Sequence, residues 1–306
     1  MARSAVTIGA LCAIGASIGF TVNDTAVKFL SGGYALHQVV LIRAMIAFTL
    51  MVAVVMPLAG GWAQMRTRRL GLHLARGGLL VFANMSYFLS LSVLPIADAT
   101  AIFFVGPLII AVFSVVFLGE YVGPRRWAAI GVGLIGVLVM IRPGGAAFTP
   151  VALLPLLSAA CYAGMHMMTR KMGGTESAVT MAFYMQVMFI VVSTVIGLGL
   201  GHGLFDPGDG GALSFLTRAW VWPAPGDWAV FALAGLGSTV GGVLIAQAYR
   251  VCAAAVVAPL EYVAMPMAIV FGVLVFGDWP DAFAWAGIAL IIGAGLYMIW
   301  RETRAR

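Results

Sequence analysis

Charge is the scarcest property of this 306-residue sequence: 9% of its residues are Asp, Glu, Lys or Arg, against 62% hydrophobic. A soluble domain carries roughly 25% charged residues, so this composition cannot cover a water-facing surface. Cysteine is also sparse. Cys12, Cys161 and Cys252 make an odd count and lie in or beside apolar runs, so no disulfide framework is implied. No H-E-x-x-H or C-x-x-C occurs, and the four histidines, at 37, 73, 166 and 202, are dispersed. No metal site and no cofactor is expected. The short alternating segments of a transmembrane β-barrel are missing as well.

Apolar length is abundant instead, with a mean hydropathy of +1.05. Runs of about 20 apolar residues recur, each long enough to cross a bilayer core of roughly 30 Å as a helix. Gly, Pro and charge clusters divide them into ten expected spans: 5–30, 36–58, 72–93, 97–118, 126–142, 150–170, 179–200, 228–250, 255–276 and 281–300. The fold class expected is an all-α integral membrane protein. The first run is too long for a signal-peptide core and carries Asn23 and Asp24, so it reads as a retained span. Most connections are very short, which makes neighbours antiparallel. The one long connection, 201–227, is rich in Gly and Pro.

The net charge of +6 has a topological origin. With the N-terminus cytoplasmic, one side receives Arg3, Arg66, Arg68, Arg69, Arg76, Arg125, Arg126, Arg170, Lys171, Arg250, Arg301, Arg304 and Arg306. These are 13 of the 17 Lys and Arg. The other side receives Lys28, Arg142 and Arg218, while Arg43 falls within a span. The positive-inside rule then puts both termini in the cytoplasm. A nucleic-acid partner is excluded on the same ground, and a bacterial-type inner membrane is the expected location.

The chain also repeats itself. Residues 97–140 align with 255–298 at an offset of 158, matching Gly119-Glu120 to Gly277-Asp278 and Trp127 to Trp285. Pro107 lies one place from the match to Pro266. Earlier in each half, "NDTAVKFLSGG" (23–33) parallels "MHMMTRKMGG" (165–174). Two units follow, 1–145 and 146–306, each of five spans. Five is odd, so the second enters the membrane inverted. Inverted repeats about an in-plane axis build many secondary transporters.

The stretches "GPLIIAVFSVVFLGE" (106–120) and "APLEYVAMPMAIVFGVLVFGD" (258–278), each followed by a Trp-containing last helix, resemble the drug/metabolite transporter superfamily. More closely, the chain resembles carriers built of two EamA-type domains. The second copy departs from the first in having Asp278 where the first has Glu120. The resemblance implies a carrier of a small-molecule substrate working by alternating access, most plausibly an exporter of amino acids or related compounds. The alternative is an uptake carrier for a vitamin or nucleoside-like metabolite. It requires no oligomer and no enzymatic activity.

Ionisable groups inside hydrocarbon cost from about 3 to more than 10 kcal/mol, which makes them functional candidates. "VNDTAVK" (22–28) puts Asp24 about six residues from the outer end of span 1, and Arg43 about seven from that of span 2. At ~1.5 Å per residue the two share a depth of roughly 10 Å. They are expected to pair, with Lys28 and His37 above them, either as a structural staple or as a gate to a substrate vestibule. Glu261, in "PLEYVAMP" (259–266), lies between two prolines that interrupt its helix, as Pro107 interrupts span 4. It is a candidate proton carrier or ammonium ligand, or a partner of Arg250 or His166. Asn84, Tyr87, Phe103, Gln247, Tyr249 and Tyr262 are the expected cavity wall, and Asp98 is the expected N-terminal cap of span 4. An intramembrane enzyme is a remote alternative, weakened because Asp24 has cations as its expected partners. "GVGLIG" (131–136) matches a dinucleotide fingerprint, but it lies in a span with no preceding strand, and helix packing explains it.

Overall fold

The computed structural model describes residues 2–118, 123–143, 149–172, 176–251 and 260–304, and among these it holds helices and no strand. Helix α1 is Ala2–Leu30. Helix α2 is Leu36–Leu50, continued through a π-turn at Met51–Val55 to Leu58. Then come α3 (Leu70–Leu91), α4 (Ile96–Phe103), α5 (Gly106–Leu118) and α6 (Pro124–Ile141). The second half holds α7 (Leu153–Met172), α8 (Ala178–Leu200), the short α9 (Ala212–Thr217) and α10 (Trp228–Val251). It ends with α11 (Ala264–Phe271), a π-turn at Gly272–Phe276, and α12 (Ala282–Arg304). An all-helical answer follows from the composition, because only a helix satisfies its own backbone within an apolar run.

Among the described residues, five helices are long and apolar enough to cross a membrane: Thr7–Leu30, Leu36–Leu58, Leu70–Leu91, Val179–Leu200 and Trp228–Ile245. Four further apolar helices are shorter, at Trp127–Ile141, Pro150–Met165, Ala264–Phe276 and Ala282–Tyr297. The chain is a multi-pass membrane protein. The expected span 97–118 is two helices, not one. Pro107 supplies no amide hydrogen to the Phe103 carbonyl, and the chain turns at Phe104–Val105 between α4 and α5. The same happens at Tyr262–Val263, where Pro266 leaves the Tyr262 carbonyl to accept from the Met265 amide at 3.0 Å. The two breaks are 158 positions apart, the offset of the sequence repeat.

Packing respects the same exchange of halves. α1 packs on α10 and α7 on α3; α5 packs on α7 and α11 on α1; α3 packs on α8 and α10 on α2. Two pairs join counterparts directly, α2 with α8 and α6 with α12, and α4 packs on α11 beside them. Gly77 on α3 and Gly235 on α10, again 158 positions apart, do equivalent work. A Cβ at the first would come within 2.5 Å of Met188 on α8, and at the second within 2.6 Å of Ile46 on α2.

The connections at 31–35, 92–95, 201–227 and 277–281 gather at one end, the loop end. Arg218 donates to the Ser31 carbonyl at 3.0 Å, the Trp220 indole to His37 at 3.4 Å, and the Ala224 amide to Tyr34 at 2.9 Å. Gly277, at φ +72°, closes the π-turn in the left-handed conformation that glycine adopts freely. The turn leaves the Asp278 amide on the Gly272 carbonyl at 3.0 Å.

Helices α1 and α10 cross on small residues spaced four apart, Gly19 against Gly237 and Gly241 with Gly15 against Leu244, the spacing that lets backbones meet. A Cβ at Gly237 would come within 2.5 Å of the Gly19 carbonyl, whereas one at Gly242 meets nothing within 4 Å. Gly237→Leu should therefore lower stability by about 1–3 kcal/mol through overpacking, and Gly242→Ala should be neutral. Thermal unfolding of both variants in detergent checks the pair.

Candidate functional site

Two polar clusters sit inside the helix bundle, and a row of aromatic rings joins them. The first is built on α1 and α2. Arg43 is 2% exposed. Its Nη1 donates to Asn23 Oδ1 at 3.0 Å, and Asn23 Nδ2 donates to Asp24 Oδ1 at 2.9 Å. The expected direct pair of Asp24 with Arg43 is thus not formed, because Asn23 stands between them and relays the contact. The Tyr87 hydroxyl, 2.8 Å from Thr100 Oγ1, also lies within hydrogen-bonding reach of Asp24. Phe88 and Phe189 flank the guanidinium carbon at 5.1 and 4.9 Å to their ring centroids.

Lys28 lies one turn beyond Asp24 toward the loop end. It reaches to the end of α3, donating to the Leu94 carbonyl at 2.6 Å and the Leu91 carbonyl at 3.3 Å, and it pairs with Asp278 at 3.5 Å. Lys28 therefore ties α1 to the turn between α11 and α12, across the two halves. His37, in the first turn of α2, packs edge-on against Trp220 at 5.8 Å. Asp98 lies in the first turn of α4 but does not cap it. The N-cap position is Pro95, and no side chain bonds there.

The second cluster surrounds Glu261. Its carbonyl accepts from Ser17 Oγ at 3.5 Å, and the phenols of Tyr162 and Tyr262 lie within electrostatic range of its carboxylate. The side chains of His166, Arg250 and Tyr249 lie outside the described residues, so the pairing of Glu261 with His166 or Arg250 does too. Gln247 is half-buried on α10. Asn84 turns back on its own helix, donating to the Leu80 carbonyl at 3.2 Å.

The rings run between the clusters. Phe88 lies 5.9 Å from Tyr87, Tyr87 5.4 Å from Phe103, Phe103 6.4 Å from Phe104, and Phe104 5.1 Å from Tyr262. Tyr162 branches from Phe103 at 5.2 Å. The last link joins the two helix breaks, Phe104 of one half to Tyr262 of the other. Sequence reading found Phe103 and Tyr262 but not Tyr162, which lies one turn before His166 on α7 and was detectable by that spacing. Phe88 and Phe189 carried no such signal.

A third polar group closes the end opposite the loops. His73 Nε2 and Glu176 Oε2 are 3.3 Å apart, Thr67 donates to Glu176 at 2.9 Å, and Arg76 Nε donates to Thr169 at 2.7 Å. Among the described residues, no three of His, Cys, Asp and Glu converge as metal ligands would.

Replacing the relay by Asn23→Leu should cost about 1.5–3 kcal/mol, the worth of a hydrogen bond to a charged group. Asn23→Asp should restore little, since it sets a second carboxylate beside Asp24. Melting of the purified variants in detergent measures both. At the loop end Arg142 donates to both carboxylate oxygens of Asp281. That contact, with help from the Ala284 amide, holds the Asp281 carboxyl below its ordinary 3.8. A carboxyl depressed in the fold stabilises above its unfolded pKa and loses that contribution as pH falls through the folded value. Acidification below about pH 4 should therefore cost the wild type more stability than Asp281→Asn, as melting temperatures from pH 6 to pH 3 would record.

Comparison with known proteins gives the site its setting. Residues 7–142 match the EamA-like transporter family. The chain is similar to a riboflavin transporter of Rhizobium johnstonii, 28% identical over 301 residues, covering 98% of this chain and 94% of the relative. It is similar to an S-adenosylmethionine uptake transporter of Rickettsia bellii, 26% identical over 288 residues, covering 94% and 92%. The pseudopaline exporter CntI of Pseudomonas aeruginosa is 26% identical over 288 residues, covering 94% of each chain. One solved crystal structure shares the fold over the full length of both chains, at a TM-score of 0.63 and 21% identity. The family match thus covers residues 7–142, an EamA-type domain of the drug/metabolite transporter superfamily.

Proposed function

We propose that this protein is a secondary transporter that takes up a vitamin-like or nucleoside-like metabolite by alternating access. It works through ten spans arranged as two inverted five-helix halves, with both termini in the cytoplasm. The observation that carries the reading is the row of rings from Phe88 to Tyr262, which crosses from one half to the other through both helix breaks. Such a row offers stacking faces to a flat solute, with the Arg43–Asn23–Asp24 chain at one end and Glu261 at the other. Interrupted helices at matching places in two repeats mark transporter binding sites. The packing of each helix on its counterpart's partner supports the inverted repeat, and the bias of Lys and Arg supports the orientation.

The relatives' names favour the vitamin and nucleoside-like alternative over amino-acid export, which was the first expectation from sequence. One relative is named for riboflavin and one for uptake of S-adenosylmethionine. In this reading Glu261 couples movement to protons, since a carboxyl beside Tyr162 and Tyr262 in a low-dielectric setting takes up and releases a proton as that setting changes. Asp24 and Arg43 line the substrate path, and Lys28 with Asp278 closes the loop end.

Pure protein in liposomes should exchange labelled riboflavin, cytidine or guanosine in saturable counterflow that the unlabelled compound inhibits. Exchange of leucine or phenylalanine with none of the ring compounds would return the amino-acid reading. Glu261→Gln should keep counterflow yet lose accumulation driven by a pH gradient. Unchanged gradient-driven accumulation in that variant would remove Glu261 from coupling.

A further inference from the structure

The guanidinium of Arg43 has one edge in use and one edge idle. Nη1 is spent on Asn23. Nε and Nη2 find no hydrogen-bond partner, although the residue is 2% exposed. In a guanidinium these two N–H bonds lie parallel on one side, forming a fork that grips two adjacent acceptor atoms. The fork also has a fixed direction. Phe88 on α3 and Phe189 on α8 hold the guanidinium carbon from their ring faces at 5.1 and 4.9 Å, and Asn23 holds the opposite edge.

An unpaired donor on a buried cation is costly, and two on one rigidly held group are more so. The cost falls only if two acceptors arrive side by side. Phe88, which flanks the fork, is also the first ring of the row that leads to Tyr262. Hydrogen-bonding and stacking surfaces therefore meet at one place, at the junction of α1, α2, α3 and α8.

Charge decides what kind of acceptor pair fits. Asp24 already balances Arg43 through Asn23. A ligand carboxylate would add a second negative charge to a balanced pair in a low-dielectric seam, where an uncompensated charge is heavily penalised. A neutral edge leaves the balance intact.

Resting on the transporter reading above, we infer that the Arg43 fork is a ligand subsite for the edge of a neutral planar ring. The edge carries a carbonyl oxygen beside an unprotonated ring nitrogen, as pyrimidine, purine and flavin rings do. An arginine gripping such a pair on a base edge discriminates by about 1–3 kcal/mol.

The test uses proteoliposome counterflow with whichever of labelled riboflavin, cytidine or guanosine the wild type exchanges. Arg43→Lys keeps the charge beside Asn23 and removes the fork. Its half-saturating concentration should rise about 10- to 100-fold, while its melting temperature without ligand stays near the wild-type value. A deaza analogue, in which the ring nitrogen is a C–H, should bind the wild type as weakly as the parent compound binds Arg43→Lys, and should lose nothing further in the variant. The analogue on wild-type protein keeps the test alive should Arg43→Lys fail to fold.

Equal half-saturation in Arg43→Lys, or deaza analogues that all match their parents on the wild type, would reduce Arg43 to a structural cation and overturn the inference. Benzoate or nicotinate displacing the ring compound better than its neutral amide would overturn it in favour of an anion site. Wild-type protein that exchanges none of the ring compounds would instead bring down the substrate reading itself, and the fork with it.

Discussion

Inside a bilayer no water stands ready to satisfy a broken helix, so a break survives only where protein covers it. This chain breaks two helices, at Phe104–Val105 and Tyr262–Val263, and lets the rings at the breaks cover one another at 5.1 Å. The rest of the interior follows from that contact. It brings α4 against α11, aligns the rings on either side, and sets the Arg43 chain and Glu261 at opposite ends of the row. The prolines at the breaks, Pro107 and Pro266, lie one place from equivalence at the offset of the sequence repeat.

The contacts between the helices differ in kind. α1 and α10 meet on glycines at backbone distance, as do α6 and α12, where a Cβ at Gly136 would come within 3.0 Å of the Gly287 carbonyl. Such seams are held by close packing and do not loosen by degrees. The ends are tied by polar contacts instead. Lys28 and Asp278 keep 13% and 31% of their side chains exposed, and an ion pair with that much water contact is worth about 1 kcal/mol or less. His73 and Glu176 form a tie at the other end that is buried rather than wet, at 0% and 9% exposed.

The sequence made the fold legible because its signals were long or repeated. Apolar runs located the helices, and the prolines located the breaks to within a few residues. The offset that matches Gly119-Glu120 to Gly277-Asp278 also relates Gly77 to Gly235, a correspondence that became meaningful only with the packing in view. The site was legible in depth but not in direction. Counting residues put Asp24 and Arg43 at one height, yet one step along a helix is 100° around it, and Asn23 rather than Asp24 faces Arg43. Lys28 was placed at its height but without its partners, because the carbonyls of Leu91 and Leu94 and the Asp278 carboxylate that hold it lie far along the chain. Asp98 looked like a cap from its position, but the proline at position 95 takes the N-cap and Asp98 falls into the turn.

The most direct test of the account is whether the two ends open in alternation. Spin labels at Val93 and Trp279 report the loop end, and labels at Arg68 and Ser177 report the opposite end. Both pairs join one half to the other, in a background carrying Cys12→Ser, Cys161→Ser and Cys252→Ser. Electron–electron distance measurements in liposomes, with and without an exchanged ring compound, should show one pair lengthening as the other shortens. Two pairs that hold their distances, or move in the same direction, would contradict a carrier built on exchange between two inverted halves.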